Sequence, residues 1–390
     1  MFPSLKDFNF ANRSVLVRCD FNVPIKNGKV LDDFKILQAL ETLNYLKKSG
    51  AKTILLSHLG EPEESQETKT SELTLKPVAI KLEEVLKEKV KFSNECIGKN
   101  VELAVRKLKS GDILLLENLR LQKGEEENDE QFAKALARLG EVYVGEAFSV
   151  SHRHHASVVL LPKLLPHFAG FYFEREIRAL SEISQNPKRP LVVVIGGVKI
   201  ASKIGVIEKF LKIADHLLLG GKIANIILRV KGICVGKPWP EDKVVEKIKN
   251  IELTSTKIHL PLDTLASPDR EGEIYIREIG PGSLRKEEEI FDVGKETVYS
   301  FGEIIKSAGT IFWSGPLGLV ENEKFSKGTE GVMRAIVRNY EAFKVVGGGD
   351  TIAFVRKFNL LDKFSYVSTG GGAMLHFLAG KELPGVEALK

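Results

Sequence analysis

The stretch LVVVIGG at residues 191–197 decides the fold, because a run of five aliphatic residues leads directly into a glycine pair. Runs this short and continuous are typical of strands that are buried on both faces of a sheet. The segments between such runs, for example residues 34–48 and 78–87, have helical periodicity. This alternation of strand and helix predicts parallel sheets covered by helices. Eight more runs of the same kind lie at residues 15–17, 53–56, 113–116, 142–144, 216–219, 310–313, 344–346 and 364–367.

Nine strands are too many for one core, and a length of 390 residues agrees with two or three domains. We expect an α/β protein with two doubly wound domains, each with a parallel β-sheet flanked by helices, joined by a hinge helix. The break is expected where Pro162 and Pro166 interrupt the chain, before a helical stretch that the sequence NPKRP closes at residues 186–190. The predicted domains are residues 1–166 and 191–372, with residues 167–190 as the interdomain helix and linker.

The composition, with 43% hydrophobic and 28% charged residues, excludes a wholly disordered, collagen-like or coiled-coil chain. The most apolar long stretch, residues 157–173, contains Lys163 and two prolines, so we expect no membrane span. The start MFPSLKDFNF lacks a basic segment followed by an apolar core, so no secretory signal is expected. Three widely spaced cysteines predict a reduced, cytoplasmic protein rather than a disulfide scaffold.

Charged and polar side chains follow the apolar runs of the first half. Ligands of open parallel sheets bind beyond the carboxyl ends of the strands, so these side chains are candidates for a binding site. The segment SHRHH at residues 151–155 comes next, and its histidines fit ordinary packing or, less well because no cysteine is close, a zinc site. A basic cluster that binds a small anion, with Arg153 as the forked donor, is better supported than the zinc site. The residues that follow the runs are Asp20, Asn22, His58, Glu117, Asn118, Arg120 and Glu146.

Glycines follow the runs of the second half, where they lead into the predicted helices. A glycine at such a turn lets the backbone approach a ligand and leaves N–H groups free to bind phosphate. Lys199, Lys203 and Lys222 stand near two of these turns and Asp350 follows a third, which is the combination that a magnesium nucleotide needs. One glycine pair would indicate only a tight turn, but five such turns favour nucleotide binding, although no P-loop motif is present and no G-x-G-x-x-G motif follows a strand. The glycines are at residues 196–197, 220–221, 315 and 318, 347–349 and 370–372.

Nine motifs, in order along nearly the whole chain, resemble those of the phosphoglycerate kinase family. They are VLVRCDFNVP (15–24), SHLG (57–60), LLLENLR (114–120), SHRHHAS (151–157), GGVKIASKIGVI (196–207), WSGPLG (313–318), VVGGGDT (345–351), STGGGA (368–373) and ELPGV (382–386). The resemblance implies reversible phosphoryl transfer from 1,3-bisphosphoglycerate to ADP, giving 3-phosphoglycerate and ATP in glycolysis, with Mg²⁺ and with hinge closure before in-line transfer. It also implies that the first domain binds the glycerate, that the second binds the nucleotide, and that residues 373–390 pack back on the first domain.

The resemblance further implies roles for single residues. The positions that bind the glycerate substrate are matched by Asp20, Asn22, His58, Arg120 and Arg153. The nucleotide-binding positions are matched by Gly197, Lys199, Lys203, Gly221, Glu321, Gly349, Asp350 and Thr351. Among these, Glu321 matches the ribose contact and Asp350 the magnesium contact. The catalytic positions, which act on the transferred phosphoryl group, are matched by Lys35, Lys203, Gly371 and Gly372.

The sequence departs from the family pattern at several positions. Gly145-Glu146 and Met374 replace an Asn-Asp pair and a serine, and four further departures bear on activity. Lys35 and Glu61 stand where the family has arginines, and Ser202 and Ser314 replace an aspartate and an asparagine. Lys35 keeps the positive charge but loses the forked geometry, and Glu61 reverses a charge. The alternative hypothesis is therefore a nucleotide-binding homologue with low or altered acyl-phosphate kinase activity.

The net charge of +5 suits small anionic ligands as well as nucleic acid. A nucleic-acid-binding or scaffold protein would rest on this charge alone. We therefore expect small-molecule partners only (3-phosphoglycerate, 1,3-bisphosphoglycerate, ADP and ATP), with no nucleic acid and no membrane partner. The resemblance suggests a monomer.

Overall fold

The computed structural model describes residues 2–60, 73–234 and 242–390. Glu61, one of the departures from the family pattern, lies outside these residues. The chain forms two compact units, of which the first is Met1–Ile177 with Glu382–Lys390 and the second is Arg178–Lys381. Within the described residues, none of the helices combines the length and the apolar character that a membrane crossing requires.

The first unit is built on a parallel sheet of six strands in the order β5-β6-β4-β1-β7-β8. Strand β1 pairs with β4 from Ser14 against Lys52 to Arg18 against Leu56. Its inner residues are fully buried, as expected for a strand covered on both faces. A small hairpin, β2-β3, follows β1. The strands are β1 Ser14–Arg18, β2 Ile25–Lys26, β3 Lys29–Val30, β4 Lys52–Leu56, β5 Val90–Phe92, β6 Ile113–Leu115, β7 Val142–Gly145 and β8 His167–Ala169.

Helices cover the first sheet and short turns carry its functional segments. Asp129 begins one of these helices, because its side chain accepts the N–H of Phe132 at 2.7 Å. The last helix of the chain packs on the segment that contains Arg153, and the N–H of Gly385 donates to the carbonyl of Ser151 at 2.8 Å. The helices are α1 Phe34–Gln38, α2 Leu40–Lys48, α3 Lys76–Leu86, α4 Lys99–Arg106, α5 Lys123–Glu126, α6 Glu130–Ala137 and, after the second unit, α15 Pro384–Glu387.

The second unit contains a parallel sheet in the order β11-β10-β9-β15-β16-β17 and an antiparallel sheet in the order β13-β12-β14. Strand β9 is the run that decides the fold, and each of its five residues is at most 1% exposed. The strands are β9 Leu191–Ile195, β10 His216–Leu219, β11 Ile258–His259, β12 Thr264–Ser267, β13 Arg277–Ile279, β14 Glu289–Val293, β15 Thr310–Ser314, β16 Phe343–Gly347 and β17 Tyr366–Ser368.

Three helices of the second unit, α9, α13 and α14, begin at predicted glycine turns. The helices of this unit are α8 Ile204–Ile213, α9 Gly221–Val230, α10 Asp242–Lys249, α11 Lys295–Lys306, α12 Lys327–Arg338, α13 Gly349–Lys357 and α14 Gly371–Leu378. In this sheet the chain adds β10 and β11 on one side of β9 and then β15, β16 and β17 on its other side, so the strand order switches between β9 and β15. In the first sheet the strand order switches between β1 and β7. Ligands of such sheets bind at these switch points.

The predicted class, two parallel α/β sheets flanked by helices, is confirmed. The antiparallel sheet is an addition that the sequence analysis did not predict. In β14, Glu289 is half-buried and Asp292 is buried, so the strand carries charged residues and does not form a continuous apolar run. The boundary between the units lies inside helix α7, Phe171–Gln185. The chain returns to the first unit at Glu382 rather than at Ala373, because α14 packs on α8 within the second unit.

Candidate substrate and nucleotide sites

In the first unit, Asp20 follows β1, and its carboxylate accepts hydrogen bonds from three groups. Its Oδ2 accepts from the Nζ of Lys35 at 2.8 Å and from the Oγ of Ser149 at 2.5 Å, and its Oδ1 accepts from the N–H of Asn22 at 3.0 Å. Burial alone would raise the pKa of Asp20, but the ammonium of Lys35 and these hydrogen bonds lower it well below its usual range. Asp20 is therefore ionised at neutral pH and can accept a hydrogen bond from a ligand hydroxyl.

His58 follows β4 and is held as a neutral imidazole. Burial and the positive charge of Arg18 lower the pKa of His58 well below its usual value. The Nη2 of Arg18 lies 3.3 Å from the Nδ1 of His58. Because a guanidinium can only donate, Nδ1 accepts this bond and the ring proton is assigned to Nε2. His58 can therefore donate one hydrogen bond from Nε2 to an anion.

A buried polar network lies behind His58. Arg18 is 1% exposed, and its Nε donates to the Oγ of Ser157 at 2.8 Å while its Nη1 donates to the carbonyl of Cys19 at 2.6 Å. Glu125, which is fully buried, accepts the N–H and Oγ of Ser157 at 3.0 and 2.6 Å, and its Oε1 lies 3.8 Å from Arg18. Sequence analysis missed Arg18 and Glu125, because only the folded chain brings a strand end and an acidic turn together.

Asn22 and Arg120 meet at Gly60. The N–H of Gly60 donates to the Oδ1 of Asn22 at 3.0 Å, and the Nη1 of Arg120 donates to the carbonyl of Gly60 at 2.5 Å. The Nε of Arg120 lies 3.3 Å from the Oε1 of Glu126, so the buried guanidinium is oriented from two sides. The ends of β1, β4 and β6 thus come together, as expected for parallel strands.

Arg153 is exposed on the segment that follows β7. The neighbouring His155 is buried, and its pKa falls to about 3 because of burial and of the positive charges of Arg120, Arg18 and Arg153. Arg153 therefore contributes to the same positive region as Arg120. In the parts of the chain that the structure describes, no group of three or more His, Cys, Asp or Glu side chains could hold a metal ion.

In the second unit, glycine backbone surrounds the ammonium of Lys203. The Nζ of Lys203 donates to the carbonyl of Gly196. A Cβ added to Gly315, whose φ is +95°, would overlap that same carbonyl, and one added to Gly196 would overlap the carbonyl of Pro316. Only glycine fits these two positions, which meet at the switch point between β9 and β15.

Lys199, Lys203 and Asp350 form one electrostatic group. Burial lowers the pKa of Lys203 to about 8, while the negative charge of Asp350 raises it and the positive charge of Lys199 lowers it further. Lys203 is buried, whereas Lys199 and Asp350 are exposed. The group presents two cations and one carboxylate, which suits a phosphate chain with a divalent cation.

A cavity of about 350 Å³ opens beside this group. Four residues of the predicted nucleotide site line it, namely Gly197, Gly221, Glu321 and Asp350. Its other walls include the apolar side chains of Ile290 and Phe291 and the charged side chains of Lys222, Arg270 and Glu289. The antiparallel sheet supplies Glu289, Ile290 and Phe291 through β14, so one wall of the cavity comes from the element that the sequence did not predict. A mixed apolar and polar cavity is typical of a small-molecule site.

The remaining predicted residues lie at the starts of α13 and α14. Gly349 and Gly371 both have open space where a Cβ would be, and Gly372 follows in the first turn of α14. The resemblance implies a nucleotide-binding position for Thr351, which is fully buried and whose Oγ1 accepts the N–H of Gly315 at 2.7 Å. Thr351 therefore supports the Gly315 turn.

Two of the departures from the family pattern also lie in this unit. Ser202 donates to the carbonyl of Lys199 at 2.9 Å, and Ser314 is buried at the end of β15.

Comparisons with known proteins lead to one family. The family model described as phosphoglycerate kinase matches residues 5–381. A phosphoglycerate kinase of Borrelia garinii subsp. bavariensis is 43% identical over 392 residues, covering 99% of both chains. One of Coprothermobacter proteolyticus is 41% identical over 394 residues, covering 99% of this chain and 98% of the relative.

Solved structures give the same result. The chain is similar to phosphoglycerate kinase from Coxiella burnetii, with a TM-score of 0.86 and 36% identity, covering 100% of this chain and 99% of the other. It is also similar to the enzyme of that name from Pyrococcus horikoshii, with a TM-score of 0.88 and 34% identity, covering 100% and 98%. With a family model that spans most of its length and relatives above 40% identity, the chain belongs to the phosphoglycerate kinase family.

Proposed function

We propose that the strand ends of the first unit bind the glycerate substrate and that those of the second unit bind ADP or ATP. The protein is a kinase of glycolysis, a transferase whose phosphoryl acceptor is a carboxyl group. The observation that carries the proposal is the contrast between the two sets of strand ends. Side chains hold the Asp20 carboxylate in one unit, whereas glycine turns and Lys203 border a cavity in the other.

The first unit suits a small phosphorylated hydroxy acid. Asp20 is an acceptor for a substrate hydroxyl, because its low pKa keeps it ionised. Arg120 and Arg153 supply forked donors for phosphate or carboxylate oxygens, and His58 adds a neutral donor. Most of these groups are held by other protein atoms, so little reorganisation is needed when the ligand binds.

The second unit suits the phosphates of a nucleotide. Lys203 and Lys199 cancel negative charge, and the first N–H groups of α13 and α14 can bind phosphate oxygens. Transfer of a phosphoryl group requires alignment and charge cancellation rather than a general base, because the attacking oxygen already carries charge. Lys203 is suited to this role, since its ammonium is buried beside the cavity rather than solvated.

Magnesium fits the residues present. Asp350 places an exposed carboxylate at the first turn of α13, on the wall of the cavity. Proteins commonly hold Mg²⁺ through one or two carboxylates together with substrate phosphates, so a cage of several protein ligands is not required. When bound, the ion neutralises charge on the phosphates. We propose Asp350 as its protein ligand.

The proposal includes closure of a hinge in residues 167–190, because direct transfer needs both ligands in one space that excludes water. It also includes a cytoplasmic monomer. The alternative of a homologue with low or altered activity has no support from the relatives described above, all of which are phosphoglycerate kinases.

A coupled assay tests the proposal directly. ATP formation should require 1,3-bisphosphoglycerate, ADP and Mg²⁺ together, with a turnover number between about 1 and 1,000 per second, the usual range for enzymes. Omission of each component in turn is the control. Turnover at the background rate, with ADP still bound in a calorimetric titration, would overturn the proposal and leave a nucleotide-binding homologue.

A further inference from the structure

Asn118 uses its whole hydrogen-bonding capacity on the backbone around the glycerate site. It follows β6 and is fully buried. Its Oδ1 accepts the N–H of Leu59 and the N–H of Arg120, both at 3.1 Å. Its Nδ2 donates to the carbonyls of Leu59 at 2.8 Å and of Leu73 at 3.0 Å. An asparagine amide has two donor hydrogens and two acceptor positions, and all four are occupied here.

Glu117, the residue before Asn118, binds the neighbouring part of the same segment. Its Oε1 accepts the N–H of Leu75 at 2.8 Å, and its Oε2 accepts the Oγ1 of Thr74 at 2.6 Å. Two consecutive side chains therefore bind backbone that is close together in space but separated in sequence, at residues 59 and 73–75. Leu59 and Leu73 cannot change their separation without breaking a bond to a buried amide.

This attachment acts on the residues that would bind the substrate. Leu59 lies between His58 and Gly60 in the chain. Gly60 in turn binds the side chains of Asn22 and Arg120. Asn118 also fixes the backbone N–H of Arg120. One amide thus determines the positions of three groups on two strand ends.

We propose that Asn118 is a positioning residue for the glycerate site, which fixes His58, Gly60 and Arg120 for the anionic substrate without touching it. The inference rests on the proposed function, because it assumes that these groups bind 3-phosphoglycerate. Its physical basis is that a displacement of about 1 Å in a binding group can change a rate or an affinity up to 100-fold. The four bonds that fill the capacity of the Asn118 amide all go to residues of the first unit, so nucleotide binding should be independent of it.

The chain offers a matched control in Asn339. Its Nδ2 donates to the carbonyls of Ile305 at 2.9 Å and Ala308 at 3.0 Å, and its Oδ1 accepts the N–H groups of Glu341 at 3.2 Å and Ala342 at 3.1 Å. It therefore has the same chemistry as Asn118 but lies after α12 in the second unit. Loss of either amide leaves unpaired backbone groups and should lower stability.

The experiment measures the KM for 3-phosphoglycerate, the KM for ATP and the urea midpoint of Asn118→Ala and Asn339→Ala. We expect both variants to unfold at lower urea. Asn118→Ala should raise the KM for 3-phosphoglycerate about tenfold and leave the KM for ATP unchanged, whereas Asn339→Ala should change neither. An unchanged KM for 3-phosphoglycerate in Asn118→Ala, or an equal rise in both KM values, would overturn the inference.

A milder variant keeps the test decisive if Asn118→Ala does not fold. Thr74→Val removes the hydroxyl that binds Glu117 and keeps the shape of a partly exposed side chain. We expect about a threefold rise in the KM for 3-phosphoglycerate alone, and no rise would contradict the inference. Failure of the proposed function has a separate signature, because the wild-type enzyme would then turn over neither 3-phosphoglycerate with ATP nor the reverse pair.

Discussion

The two parallel sheets have the same kind of switch point but end their strands in opposite ways. In the first unit the strands end in side chains that hold one another, such as Asp20 with Lys35 and Arg18 with His58. In the second unit they end in glycines whose backbone is so close that a Cβ would not fit, as at Gly196 and Gly315. A small ligand with several different polar groups needs side chains of defined position. A chain of phosphates needs room and N–H groups, which backbone alone can supply.

The largest expected effect comes from removing the buried ammonium of Lys203 in the second unit. Lys203→Met should lower kcat about 100- to 1,000-fold, the loss typical when a preorganised charge-stabilising group is removed. Lys212→Met, an exposed lysine near the end of α8, the helix that begins directly after Lys203, is the control and should retain wild-type kcat. Steady-state kinetics in the coupled assay gives both values. A normal kcat in Lys203→Met would contradict the role of the Lys203 ammonium in phosphoryl transfer.

The pH dependence sharpens the same point. Burial lowers the pKa of Lys203 to about 8, so the ammonium is present below pH 8 and is lost above it. The kcat/KM for ADP, which reports on the free enzyme, should therefore fall about tenfold per pH unit above 8. Lys203→Met should lack this falling limb. A flat wild-type profile from pH 7 to 9.5 would show that Lys203 does not titrate where its burial predicts.

A smaller effect is expected in the first unit at Lys35. The Nζ of Lys35 is bound to Asp20 at 2.8 Å through a single point. A guanidinium could bind Asp20 and a substrate oxygen together, so Lys35→Arg should raise kcat about two- to fivefold. Lys26→Arg, on the exposed hairpin, is the control. If Lys35→Arg is no faster than the wild type, the forked geometry contributes nothing at this position.

The sequence predicts the parallel strands because burial on both faces produces continuous apolar runs, as in β9. It does not predict the antiparallel sheet, whose strands lack a continuous apolar run, or the short edge strands β5, β8 and β11, which have at most three residues each. Short strands carry too little pattern to be distinguished from loops.

For the site, the sequence predicts residues that directly follow strands, since sheet geometry places them at one edge. Asp20 and His58 are examples, and both are found in networks of hydrogen bonds. It misses partners that only the folded chain brings close, such as Glu125 behind Arg18. It also cannot separate a residue that faces open space from one that supports a turn. Thr351 is of the second kind, because its hydroxyl is bound to the Gly315 backbone.

The division of binding between the two units is tested most directly by titrating 3-phosphoglycerate and magnesium ADP separately into two variants. Arg153→Ala removes an exposed cation of the first unit. Gly349→Ala adds a methyl group that would meet no protein atom within 4 Å apart from its chain neighbours and the backbone of its own helix, so a ligand at the start of α13 is the group it would obstruct. Arg138→Ala and Gly302→Ala, one in each unit and away from the sites, are the controls.

We expect reciprocal losses in calorimetry. Arg153→Ala should weaken 3-phosphoglycerate binding about tenfold and leave ADP binding unchanged, in line with the loss of one charge-assisted contact. Gly349→Ala should weaken ADP binding about tenfold, leave 3-phosphoglycerate binding unchanged and leave the melting temperature at the wild-type value. Weaker ADP binding in Arg153→Ala, weaker 3-phosphoglycerate binding in Gly349→Ala, or an equal loss of both ligands in either variant would contradict the assignment of one ligand to each unit.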